Sequence, residues 1–247
     1  MDAGTAALLA GAGLGAGVVN AVAGGGSLIT FPALLAAGYP SVTANVTNAI
    51  AVLPGYVGGS LAYRRELAGQ RGRIRALAAT STAGAAVGAA LLLVSPASVF
   101  EAIVPWLILA ACGLLAAQPR VAAAVRTRRT APSPLGLHAA LFAATVYGGY
   151  FGAGLGIMVL AILGVFVEDG LQRLNALKGV LSLLVAVVCA AAFAVFGPVA
   201  WDAAAIVGAS CLLGGAAGVS VARRLPASVL RAVVIAYGVS VAIVLLV

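Results

Sequence analysis

Lys178 is the only lysine in the 247-residue chain, and it sits inside the apolar run LNALKGVLSLL. Asn175, Lys178 and Ser182 are spaced i, i+3 and i+7, so on a helix they share one face. An ammonium in an apolar interior is costly unless it is paired, and no carboxylate falls within an apolar run to pair with it. An anionic ligand would supply the missing partner; alternatively the stem snorkels to a surface about one turn away. Asn45 and Asn48 repeat the arrangement earlier in the chain, with Ala51 in the place of the lysine. Two glycine clusters complete the set: Gly24, Gly25 and Gly26, followed by Ser27, and Gly152, Gly154 and Gly156. Glycine lets a helix unwind. A helix restarting after such a break points free N–H groups and partial positive charge at the break, which seats an anion. Small residues also serve close helix packing, and that is the reading for Gly84/Gly88 and Gly214/Gly218. His138, the single histidine, could carry a coupling proton or be a satisfied interfacial side chain.

Catalytic signatures are missing. The chain has no HExxH, GxSxG or Walker lysine motif. One histidine and the scattered Cys112, Cys189 and Cys211 make no metal site, so neither metal nor cofactor is expected, and the chain is not read as an enzyme. The six carboxylates sit between or at the ends of apolar runs, which argues against a cation antiporter.

The elements that must position these residues follow from composition. The chain is 63% hydrophobic and 8% charged, with mean hydropathy +1.16. A soluble surface needs about 25% charge, so a soluble domain, and with it a nucleic-acid binder, is excluded despite the net charge of +8. Unbroken apolar runs exclude a β-barrel, which alternates. The fold expected is all-α, a polytopic membrane helix bundle. Uncharged runs cover residues 3–63, 76–100, 102–119, 130–167, 179–201, 203–222 and 232–247, the last expected to begin near Pro226. Five of these are single spans. The run 3–63 holds a span at about 42–63, kinked at Pro54, preceded by a segment interrupted at the first glycine cluster. The run 130–167 is interrupted at the second. Folding each at its glycines gives arms of about 15 residues, roughly 23 Å, shorter than a bilayer core.

Charge chooses the topology. If each long run crosses once, Arg173, Arg223, Arg224 and Arg231 fall opposite the arginines of 64–75 and 120–129. If each makes an even number of crossings, every cation lies on one side, and only Asp2, Glu101 and Asp202 lie on the other. The second arrangement obeys the positive-inside rule. It places residue 38 outside and residue 168 inside, and it makes the two halves inverted repeats: 1–118, a basic cytoplasmic linker 119–134, and 135–247. Each repeat is then a glycine-broken re-entrant or half-helix segment followed by three transmembrane helices. Weak likeness accompanies this, residues 20–26 matching 150–156 and Asn48-Ala49-Ile50 matching Asn175-Ala176-Leu177. The first 60 residues lack a basic n-region, so no cleavable signal peptide is expected.

The run GAGVVNAVAGGGSLITFPALLAAGYP with GSLAYRREL, and in the second half YGGYFGAGLGIMVLAILG with GPVAWDAAAIVGASCLLGGAAGVSVARRLP, resembles the sulfite exporter TauE/SafE family over nearly the whole chain. The second repeat departs from the family pattern at Leu155 and Val159. The resemblance implies a multi-pass permease of the bacterial inner membrane for sulfite, a sulfonate such as sulfoacetate, or a similar anion. It maps the family's glycine motifs onto Gly24–Gly26 and Gly152, Gly154 and Gly156.

The function expected is secondary transport of a small sulfur-containing anion by alternating access around a site between the two breaks. That site would be built from Gly24, Gly25, Gly26, Ser27, Asn45, Asn48, Gly152, Gly154, Gly156, Asn175, Lys178 and Ser182, with His138 as a candidate for proton coupling. A passive anion channel, or transport of another small organic anion, is the alternative. The bilayer is the expected surrounding, and a homo-oligomer is compatible with it.

Overall fold

The computed structural model describes residues 1–22, 25–127, 133–222 and 227–246. Gly24, Arg128, Arg129, Arg223 and Arg224 lie outside the described residues. The elements are α1 (Ala3–Val22), α2 (Ser27–Ala36), α3 (Ser41–Ala51), α4 (Leu53–Ala62), α5 (Arg71–Val94), α6 (Ala97–Thr127), α7 (Pro134–Tyr150), α8 (Leu155–Phe166), α9 (Leu171–Phe196), α10 (Trp201–Ala222) and α11 (Ala227–Leu246). No strand occurs among the described residues.

Five helical stretches are long and apolar enough to span a bilayer: Ala3–Asn20, Arg71–Val94, Ala97–Val125, Leu171–Phe196 and Ser228–Leu246. The span expected at 42–63 is two short helices. Pro54 has no N–H to continue a ladder, and α3 ends at Ala51 with Val52 as its cap. Helix α6 exceeds the expected 102–119; its 31 residues measure about 46 Å and enter the stretch expected as a linker.

Gly25 and Gly26 fall between α1 and α2, and Gly152 and Gly154 fall between α7 and α8, whereas Gly156 lies in the first turn of α8. α1 and α2 form a hairpin that opens and closes at one end of the bundle, where the Tyr39 hydroxyl lies 3.9 Å from Met1 Sδ. α7 and α8 form another. Gly136 opens α7, and a Cβ there would come within 2.9 Å of the Phe166 ring at the close of α8. Val125 of α6 packs on Gly164 at this same end. So do the loop 63–70 and the α8–α9 turn. Arg73 pairs with Asp169, Arg173 pairs with Asp169 at 2.9 Å, and Arg173 Nη1 donates to the Ala68 carbonyl at 3.1 Å. Gln70, fully buried, donates to the Arg173 carbonyl at 3.0 Å. The arginine-bearing segments of both halves therefore meet at one end of the molecule.

The helices of the two halves interleave. α5 runs parallel to α7 with Gly84 and Gly88 against it; a Cβ on Gly88 would overlap the Val146 carbonyl at 2.1 Å. α1 runs parallel to α10 the same way, Gly13 and Gly17 meeting Val207 and Cys211, and Gly214 meeting Leu14. Gly84, Gly88 and Gly214 are thus packing glycines. His138 faces Thr80 across the α5–α7 contact, Nδ1 to Oγ1 2.6 Å.

Candidate functional site

A cavity of about 30 Å³ lies where the two breaks approach each other. That is two to three times the ~10–15 Å³ that one water needs. Its wall takes Ser27 from the start of α2, Asn45 and Asn48 from α3, Tyr56 from α4, Gly152 from the second break, and Ser182 from α9. Val185, Ala186, Cys189 and Phe193 carry the wall onward along α9.

Each polar side chain has a local reason for its pose. Asn45 is 2% exposed and its Nδ2 donates to the Tyr150 carbonyl at 2.9 Å. That carbonyl is the last of α7 and has no helical donor, so Asn45 caps α7 from the other half of the chain. Asn48 accepts through Oδ1 from the Thr30 hydroxyl, which also donates to the Gly26 carbonyl at 3.3 Å. The Asn48 amide NH₂ keeps no partner among the described residues. Ser182 is 2% exposed, and its hydroxyl is likewise unpartnered. The Ser27 N–H, first of α2, also has no partner among the described residues. Buried polar groups are normally paired. A cavity lined by three groups with free donor capacity and no carboxylate is chemically suited to an acceptor-rich guest.

The breaks hold their shape through glycine. Gly25, Gly152 and Gly154 have φ of +93°, +83° and +81°, the left-handed region where a Cβ is strained. Gly26 has φ −56° and a different reason: a Cβ would lie 2.7 Å from the Ala16 carbonyl. Its N–H is already taken by Asn20 Oδ1 at 2.8 Å. Phe31 of α2 meets Phe151 of the second break edge-on, centroids 5.4 Å apart, and locks the breaks together.

The sequence grouped Asn175, Lys178 and Ser182 on one face, and the structure divides them. Ser182 enters the cavity wall. Lys178 and Asn175 lie one to two turns nearer the arginine-bearing end and pair with each other, Nζ to Oδ1 3.1 Å. The Lys178 stem runs beside Gly156, where a Cβ would be 3.8 Å from its Cδ. No carboxylate pairs with Lys178 among the described residues. Gly25, Gly26, Gly154, Gly156, Asn175 and Lys178 do not line the cavity, and neither does His138, which is held by Thr80. Thr30 and Tyr56 were not anticipated. Thr30 carries no motif, and Tyr56 reaches the wall from α4, beyond the break at Val52.

Helices long enough to span, a largely apolar cavity carrying a few polar groups between the two hairpins, and an arginine-bearing end define a multi-pass membrane protein. The sulfite exporter TauE/SafE family model matches residues 9–245, and the chain belongs to that family. The chain is 29% identical over 242 residues to the probable membrane transporter protein ORF9 of a Sinorhizobium species, covering 94% of this chain and 88% of the relative. It is 27% identical over 220 residues to a probable membrane transporter protein of Haemophilus influenzae, covering 89% and 86%. No solved structure gave a significant match. The protein is a membrane transporter.

Proposed function

We propose that this transporter moves a small sulfur-containing anion, sulfite or an organosulfonate, across a bacterial inner membrane by alternating access around the cavity between the two breaks. The carrying observation is the unpartnered, 2% exposed Ser182 hydroxyl facing that cavity beside Asn48. The sulfur oxyanion is received there by Ser182, the Asn48 amide and the Ser27 N–H. Asn45 holds the second break in register. Lys178 draws the anion along α9 from the arginine-bearing end, its ammonium held by Asn175 until the anion arrives. The halves 1–118 and 135–247 form inverted repeats with the arginines cytoplasmic; the meeting of Arg73, Arg173 and Asp169 at one end supports this.

Uptake into proteoliposomes of sulfite, sulfate, thiosulfate, sulfoacetate, taurine and acetate tests the reading. Saturable uptake of a sulfur anion is expected, with the Lys178→Ala rate lower by about tenfold, the loss of roughly 1.4 kcal/mol. Flux that neither saturates nor responds to Ser182→Ala rejects the site. Absence of any anion flux rejects the transport reading.

A further inference from the structure

The chain passes between two differently built regions at only two places, the loop 63–70 and the segment 197–200. Between them, α5 to α9 pack on one another: α5 on α7 and α9, α6 on α8, and α8 on α9. The flanking helices also pack together: α10 on α1, α3 and α4, and α11 on α2, although α11 lies more broadly against α6 of the other group. Each group is knit by backbone-to-backbone glycine contacts, Gly88 on Val146 and Gly149 in one, Gly17 on Cys211 and Gly215 in the other. Such contacts have no side chain to yield, so neither pair slides.

The seam between the groups differs. It runs along α3 and α4 against α9, and it contains the cavity. It also holds two buried hydroxyls without partners: Ser182 on α9 and Ser60 on α4, the latter 3.6 Å from where a Gly179 Cβ would lie. The groups meet again, and more broadly, at α6 against α11, where the contact on Gly238 is the Cys112 thiol, a side chain that can yield. The crossing points are short connections. Gly69 in the first has φ +78°, and Ala68 and Gln70 beside it are bonded to Arg173 of α9, so that end of the loop moves with α9. The second opens with Gly197-Pro198 and is tied to α3 by one neutral bond, the Ala200 N–H to Thr47 Oγ1 at 3.0 Å.

We infer that the bodies that move in transport are not the sequence repeats but an exchanged pair: residues 71–196 as one body, and 1–62 with 201–246 as the other, turning at 63–70 and 197–200. The inference rests on the alternating-access reading and specifies its mechanics. Each repeat gives its later helices to the other body, so a ligand in the seam is held by both repeats and both bodies at once.

Two cysteine pairs separate the alternatives. Ser60→Cys with Gly179→Cys bridges both the repeats and the proposed bodies. Ala51→Cys with Gly208→Cys bridges the repeats but stays inside one body; a Cβ on Gly208 would lie 3.8 Å from the Ala51 Cα, a distance a disulfide can close. Anion flux in proteoliposomes is measured after oxidation and again after reduction, with disulfide formation read by mass and the wild-type chain treated alike. The exchanged bodies predict that oxidation lowers flux at least tenfold in the Ser60/Gly179 variant, reversibly, and less than twofold in the Ala51/Gly208 variant. Blocking by both bridges restores the repeats as the moving bodies, and blocking by neither removes the seam as the place of motion. Absence of flux in the wild-type chain instead rejects the transport reading. The bodies are then tested by labelling the cavity's own Cys189 with a thiol reagent: the Ser60/Gly179 bridge slows labelling and the Ala51/Gly208 bridge does not, and equal rates reject the exchange.

Discussion

Ser182 can be separated from an ordinary core serine by energetics. A buried hydroxyl without a partner carries its full desolvation penalty, about 1–3 kcal/mol. Ser182→Ala therefore leaves the thermal midpoint unchanged or raises it when no anion is present. A hydrogen bond to a charged guest is worth about 1.5–3 kcal/mol, so the same substitution raises the half-saturating anion concentration about tenfold or more. Ser60→Ala gives the first effect without the second, because Ser60 does not line the cavity. A midpoint that falls in Ser182→Ala would show a structural hydroxyl instead. Asp169 answers a different question at the same scale. Burial raises its pKa, but hydrogen bonds from Arg173, the Gly170 N–H and Arg73 outweigh that and hold it below its ordinary value. A depressed carboxyl contributes stability that is complete above its unfolded value and is lost as pH falls through the folded one. Its pairs with Arg73 and Arg173 are half-open to water, worth up to about 1 kcal/mol each. Asp169→Asn thus lowers the midpoint at pH 7, by an amount constant between pH 5 and 8. The gap from wild type closes only below the ordinary carboxyl value of about 3.9. A gap that changes between pH 6 and 7 would assign the titration to another group.

Among the elements, the glycines divide by what they do. Gly154 caps α8 from φ +81° with the Leu114 side-chain end 3.1 Å from a would-be Cβ, so Gly154→Ala costs roughly 1–2 kcal/mol of backbone strain, and the flexible Leu114 end must give by a few tenths of an ångström to admit the methyl. Gly88→Ala is worse: the methyl meets the Val146 carbonyl at 2.1 Å, and α5 must back away from α7. Midpoints measured in detergent are expected in the order wild type, Gly154→Ala, Gly88→Ala; the reverse order would mean that the α5–α7 contact yields easily. This division was half legible in the sequence. The i, i+4 spacing of Gly84 and Gly88 marks packing on any helix, and the two clusters at matching places in the chain mark breaks. What no spacing could give is that Gly26 serves both α1 packing and a bond donated from its N–H to Asn20, or that a single residue, Val52, separates α3 from α4. The pose of Asn45 on the Tyr150 carbonyl joins positions 105 apart, and only tertiary packing creates it. Lys178 was legible as an anomaly but not as a distance. A 3.6-residue period places it on Ser182's face and says nothing about where along that face the cavity ends.

At the scale of the whole molecule, thirteen arginines and one lysine orient the chain through the positive-inside rule, and contacts among some of them make the orientation testable. Arg73, Arg173 and Asp169 meet at one end of the bundle, whereas Tyr39 and Met1 meet where α1 begins and α2 ends, a place with no arginine nearby in sequence. If the arginine-bearing end is cytoplasmic, Glu168, exposed in the α8–α9 turn, faces the cytoplasm and the α2–α3 turn faces outward. Gly38 has φ +87° and would be strained as cysteine, so Pro40, exposed and at φ −53°, is the better reporter of that turn. Pro40→Cys is expected to react with a membrane-impermeant maleimide added to intact spheroplasts, and Glu168→Cys only after the membrane is opened or inverted. Reaction of both from the same side would place the two turns at one face. Each glycine-broken hairpin would then have to be re-counted as a single crossing, and the inverted repeats would be lost with it.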